Sequence, residues 1–119
     1  MPQIAIKRIY EPASPEDGRR ILVDRLWPRG VSRDRAQLDG WMKSVSPSTE
    51  LRRWFDHRPD RWEEFRLRYA DELQSNPDVR TLSEMAAAGP VTLLYAARDT
   101  EHNEALALAE YLEGSGRRG

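Results

Sequence analysis

The sequence contains no cysteine. That excludes disulfides, thiol nucleophiles and thiolate metal sites together. Imidazole is scarce too: His57 and His102 are the only histidines, and they do not form a paired metal-ligand spacing. No metal and no cofactor is therefore expected. No apolar run approaches the ~20 residues that span a bilayer. MPQIAIKRIY at the start lacks the h-region of a secretory signal and has the look of a strand. These features lead to the expectation of a cytoplasmic protein without membrane contact. A basic surplus is also missing, since the formal net charge is -1, which disfavours duplex nucleic acid as a partner. Lysine is nearly absent: of 19 basic residues only Lys7 and Lys43 are lysine. Arginine-rich codon usage accounts for that bias, so an arginine here signals function only where its position is unusual.

What is present is one domain's worth of chain. Its 119 residues, 39% hydrophobic and 33% charged, suffice for a single real core. QIAIKRIY alternates apolar and polar residues and predicts a first strand. EPASPEDG predicts a loop. RRILVD predicts a second strand, whose continuous Ile21-Leu22-Val23 implies burial on both faces. Ser32 caps a short helix to about Leu38. WMKSVSP predicts a further short strand, and Ser48 a helix over Thr49 to Asp56.

Pro59 and Asp60 open the next helix, with Glu63 placed for a capping box. Trp62, Phe65, Tyr69 and Leu73 form its apolar stripe. Asn76-Pro77 predicts another helix start, which Gly89-Pro90 stop. VTLLYAA, residues 91 to 97, reads as a buried strand. Thr100 is the expected cap of a last helix ending at Gly114. The expectation is an α/β fold: a small, mostly parallel sheet of three or four strands with helices packed on it. Residues 1–113 form that single domain and 114–119 a flexible tail. The direction of the first strand stays open, because its loop to the second is short for a parallel crossover.

The two best strands end alike. ILVD runs into RLWPRG, and LLYAA runs into RDTEHNEA. In open parallel sheets, ligands bind beyond the carboxyl ends of the strands. Parallel strands would gather both loops on one edge. Asp24 and His102 are then the candidate acid and base. Arg25, Arg29 and Arg98 supply forked donors for phosphate or carboxylate, Trp27 a stacking face, and Asp99 and Asn103 polar groups at a helix start. His57, in a turn before Pro59, is a further candidate. Each residue also has a structural reading: Asp24 as a tie between loops, the arginines as surface ion pairs worth about 1 kcal/mol at most, Trp27 as core lining, Asp99 as a cap. LRRWFDHRPDRW interleaves arginine and tryptophan as single-strand binders do, although helical spacing explains it as core.

DRLWPRG, the spacing to LRRWF, and LLYAARDTEHNEA together resemble the YeaO-like branch of DUF488, a bacterial superfamily of unknown function. The resemblance runs from IKRIY to LAEYL. It implies an α/β fold and a bacterial cytoplasmic protein, and no established activity. Longer relatives have a cysteine before the histidine and an arginine after it. This chain has His102, Asn103 and Glu104, so no thiol or arginine chemistry carries over. The transcription-regulator label of some members finds no helix-turn-helix with a basic face here.

Three functions compete on this reading. The favoured one is an enzyme or sensor for a small anionic ligand such as a nucleotide or phosphoester. The alternative is a non-catalytic module for protein or single-stranded nucleic acid. The third makes DRLWPRG mainly architectural.

Overall fold

The computed structural model describes residues 4–118, with side-chain surroundings through residue 114. Four strands form one sheet in the order β1-β4-β2-β3. They are β1 (Ile4–Arg8), β2 (Arg19–Leu22), β3 (Gly40–Trp41) and β4 (Val91–Tyr95). Every pairing is parallel. The five α-helices are α1 (Arg33–Ala36), α2 (Thr49–Phe55), α3 (Trp62–Gln74), α4 (Pro77–Ala88) and α5 (Glu104–Arg118). Among the described residues no helix is long and apolar enough to cross a membrane.

The direction of β1 follows from the strand order. β4 lies between β1 and β2, so the short loop never has to join hydrogen-bonded neighbours. Residues 9–18 only have to return along a strand of about 17 Å, and ten extended residues span that. A 3-10 turn at Pro15–Asp17, capped by Ser14, takes the place of a crossover helix.

The sheet buries both faces unequally. Ile21, Val23, Val91, Leu93 and Tyr95 meet the apolar stripes of α2 to α5 in the main core. The other face carries Leu22 and Leu94 under Ile9, Val31 and Ala36, with Trp27 and Trp41 packed against them. The predicted stripe of α3 holds: Phe65, Tyr69 and Leu73 are buried, with Trp62 partly so. Ser32, Ser48 and Asn76 cap their helices as expected.

Several boundaries differ, each for a local reason. The strand expected in WMKSVSP is only Gly40–Trp41, because the Val45 and Ser46 amides turn back onto Met42 and Lys43. β4 stops at Tyr95 rather than Ala97, since the Ala96 amide donates to Asp24 and the Ala96 and Ala97 carbonyls accept from Arg8. Glu63 forms no capping box. A 3-10 turn at Pro59–Arg61 precedes α3, and Glu63 pairs with Arg66 at 3.2 Å instead. Thr100 caps nothing: α5 begins at Glu104 with Asn103 as its cap. That helix runs past Gly114 to Arg118. The expected tail falls mostly on residues 115–119, whose side chains lie outside the described set.

Candidate functional site

Parallel pairing of β2 and β4 puts the ends of both strands on one edge. The Val23 amide still bonds the Leu94 carbonyl at 3.1 Å. One residue on, the Asp24 carboxylate accepts from the Ala96 amide at 2.9 Å. The Trp41 indole donates to the Asp24 carbonyl at 2.7 Å, tying the same residue to β3. The proline-containing loop and the histidine-bearing loop are therefore stitched together at their roots.

Between and above them lies a cavity of about 460 Å³, within the usual range of small-molecule sites. Asp24, Arg25, Trp27, Arg29, His57, His102 and Asn103 line it, seven of the nine residues singled out from the sequence. Arg98 and Asp99 do not. Arg98 is exposed beyond the rim. Asp99 acts from behind: its carboxylate accepts from the Glu101 and His102 amides at 2.8 and 3.0 Å and holds His102 Nδ1 at 2.9 Å. Hydrogen bonds from the Glu101 amide and His102 hold Asp99 below the ordinary aspartate range. Its grip fixes the imidazole, which also meets the Trp62 ring edge-on at 5.5 Å. Among the described residues Nε2 of His102 has no hydrogen-bond partner.

Asn103 reaches the cavity with its amide already committed. Its side-chain oxygen accepts from the Leu106 amide at 2.8 Å and its NH₂ donates to the Asp99 carbonyl at 3.0 Å. Trp27 is similarly engaged. Its indole donates to the Val31 carbonyl at 2.7 Å, its ring packs edge-on to Trp41 at 5.3 Å, and Arg33 lies over its face at 4.8 Å. Both shape the wall more than they offer free groups. Arg25 bonds Thr49 at 2.6 Å, at the start of α2. Arg29 is exposed at the rim, its carbonyl held by the Tyr10 hydroxyl at 3.1 Å. His57 is brought to the rim by an unusual backbone. Asp56 and His57 both have positive φ, 47° and 54°, a conformation that non-glycine residues adopt rarely and at a cost.

Two charged cavity residues were not anticipated as site groups. Glu104, the first residue of α5, lines the cavity with its buried carboxyl beside that of Asp24. No donor reaches its buried Oε2. Burial, then the neighbouring Asp24, push Glu104 well above the carboxylate range, with the Arg52 guanidinium opposing. Glu104 thus holds its proton to higher pH than a free carboxyl does. Arg52, on α2, is the second. A signal for Glu104 existed: it precedes Leu108 by four residues, on the side of α5 that carries the buried Ala105, Leu108 and Leu112. An acid on a buried stripe is unusual. Arg52 sits one turn before Phe55, at the margin of its own buried stripe.

Phe55, Phe65 and Tyr95 add apolar surface to the lining, and Phe55 stacks on Phe65 at 4.5 Å. Serine, threonine, cysteine and lysine are absent from the lining. The rings of the Arg-Trp stretch meet groups of the protein itself. The guanidinium groups of Arg61 and Arg68 lie over the Trp54 ring at 5.2 and 4.3 Å, and Trp62 stacks on Phe65.

The chain is similar to known proteins along nearly its whole length. A family model described as "Inactive DUF488-N3 subclade" matches residues 3–118. The uncharacterized protein YeaO of Escherichia coli (strain K12) is 46% identical over 110 residues, covering 92% of this chain and 96% of its own. The uncharacterized proteins Mb3100c of Mycobacterium bovis and Rv3073c of Mycobacterium tuberculosis are each 38% identical over 112 residues, covering 94% of this chain and 95% of their own. No solved structure matches the chain significantly.

Proposed function

The chain belongs to the YeaO-like DUF488 family, in the subclade described as inactive, and on that premise we propose that it is a cytoplasmic protein binding a small anionic ligand without turning it over. The observation that carries this reading is the cavity at the carboxyl edge of the sheet, with Arg25, Arg29 and Arg52 around apolar and aromatic walls. Guanidinium groups are matched to phosphate and carboxylate by their forked donors. A cavity of about 460 Å³ takes a ligand of nucleotide or sugar-phosphate size. Asp24 and the His102–Asp99 pair are the groups that acid–base chemistry would use. A lining without serine, threonine, cysteine or lysine favours holding and orienting a ligand over covalent attack on it.

Thermal shift with inorganic phosphate, sugar phosphates, nucleotides and dicarboxylates tests the reading. A ligand at a hundred times its Kd adds about 2.7 kcal/mol of stability, several degrees in Tm for a domain of this size. Arg29→Ala should weaken that ligand about tenfold or more, a loss of about 1.4 kcal/mol. If no anion raises Tm, or Arg29→Ala leaves the shift intact, the reading is wrong. The single-strand alternative has no comparable support, because the tryptophan faces it requires are covered by the protein's own arginines and phenylalanine.

A further inference from the structure

Among the described residues Nε2 of His102 has no hydrogen-bond partner, yet its ring is held in place: the Asp99 carboxylate grips Nδ1 at 2.9 Å. The side chain is 28% exposed and lines the cavity. We infer that His102 contacts the anion through Nε2, with Asp99 as its positioning residue, and that the anion and one proton enter the site together. The inference rests on the anionic-ligand reading above and adds the way in which pH regulates that site.

Asp99 is itself anchored before it meets the imidazole. Its Oδ1 accepts from the Glu101 and His102 amides at 2.8 and 3.0 Å, which leaves Oδ2 for Nδ1. From α3 the Trp62 ring meets the imidazole edge-on at 5.5 Å. An ionised carboxylate only accepts, so the hydrogen between it and the ring belongs to Nδ1. Nε2 then has two states. Neutral, it presents a lone pair, which repels the oxygens of an anion. Protonated, it is a charged donor to them, and charge-assisted hydrogen bonds are the strong ones. The change takes one proton from water and nothing else. Asp99 favours the protonated form, and hydrogen bonds hold its own carboxyl below the ordinary aspartate range, so it stays charged where imidazole titrates. Arg25, Arg29 and Arg52 line the same cavity and, as arginines, supply charge that pH does not change. Asp24, after β2, and Glu104, on α5, are acids on that wall and repel an anion. Tyr10 and Tyr95 add neutral phenols. His57 stands at the rim, but among the described residues no carboxylate orients its ring.

Calorimetric titration of the full chain with sulfate, at fixed ionic strength between about pH 5.5 and 8, measures the linkage. Sulfate remains a dianion throughout, so any proton taken up belongs to the protein. Affinity should be about tenfold or more higher at the acid end. His102→Gln keeps a neutral donor near the position of Nε2 and should hold sulfate affinity within about twofold across the range, at the weak alkaline value. Asp99→Asn, which keeps the side-chain size, should displace the profile toward lower pH, a change that loss of a merely structural contact does not produce. On the unsubstituted protein, imidazole ¹⁵N resonances near neutral pH should show the His102 ring gaining the proton as sulfate is added. Protonation of His57 alone overturns the inference. So does proton uptake with neither ring changed, the result that titration of Asp24 or Glu104 would give, and so does a pH profile unaltered in His102→Gln. Sulfate affinity that is flat with pH but lost in Arg29→Ala overturns the inference and leaves the anionic site standing. Failure of sulfate to bind at any of these pH values overturns it too, and if the thermal-shift anions also fail, the broader reading falls with it.

Discussion

Strand β2 has a charged cluster at each end, and the two are built on opposite rules. At its start, Asp17 and Arg20 are 6% and 4% exposed, and their charges are closed. Asp17 accepts from Lys7 at 2.8 Å, from Arg20 at 2.5 Å and from the Ser14 amide at 2.9 Å. Arg20 spends its other donors on the Ala36 and Gln37 carbonyls. Thr92 bonds the Asp17 carbonyl at 2.8 Å. Gly18 lets the loop pass: a Cβ there would lie 2.3 Å from the Pro90 carbonyl oxygen, and its φ is +64°. Beyond the other end of the strand, Asp24 and Glu104 face each other beside a cavity with one oxygen unmet. A closed cluster fixes a fold. An open one forgoes part of that stability.

The closed cluster should produce the largest effect. Asp17→Ala strands the buried Arg20 guanidinium, and removing one partner of a buried pair costs about 3–5 kcal/mol. That is a large share of the ~5–15 kcal/mol that holds a domain together. Urea unfolding at neutral pH measures it. A loss under about 1 kcal/mol would mean that the pair is not a keystone. The pH dependence has a definite sign. Burial raises the Asp17 pKa, but hydrogen bonds from Lys7, the Ser14 amide and Arg20 outweigh it and hold the group below its ordinary value. Its contribution is thus present above about pH 4 and lost as pH falls through the depressed pKa.

The open cluster should behave in reverse. Burial and Asp24 raise the Glu104 pKa, so its contribution is full below about pH 4.3 and lost as pH rises through the raised pKa. Glu104→Gln removes the titrating group while keeping its size. It should stabilise the unliganded protein toward alkaline pH by about 1–2 kcal/mol and flatten that part of the stability–pH curve. Urea midpoints between pH 5 and 9 check this. A variant less stable than the parent across that range would show that the pair ties the loops.

The cap of α5 gives a smaller effect and shows why the sequence was only partly legible. Asn103→Ala should cost about 1 kcal/mol and Asn103→Asp much less, while Thr100→Ala should stay within about 0.5 kcal/mol. Thr100 had the chemistry of a cap, but Asp99 captures the amides of Glu101 and His102 and delays the helix by one turn. Local pattern thus located every strand and helix and misjudged ends that side chains from elsewhere decide. The site followed the same logic. The place of the cavity was legible because it needs only parallel strands, and Asp24, Arg25, Arg29, His57 and His102 line it. The pairing of Asp24 with Glu104 depends on the angle at which α5 leaves β4, which no residue spacing records. Glu104 was visible as an acid on a buried stripe, but its partner is 80 positions away.

The smallest effect belongs to Arg98, and it sharpens the contrast between a charge near the site and a charge in it. Arg98 follows β4 as Arg25 follows β2, and sequence alone makes them equivalent. Arg25 lines the cavity and is anchored to Thr49, whereas Arg98 is exposed beyond the rim. Arg98→Ala should change stability by no more than about 0.5 kcal/mol and the affinity for any anion found by thermal shift by less than twofold. Arg25→Ala should weaken the same anion severalfold. The two variants carry the same net charge, so long-range attraction falls equally in both and cancels in the comparison. Affinity losses of equal size would therefore mean that the anion responds to the summed field of the edge, not to the guanidinium groups that line the cavity.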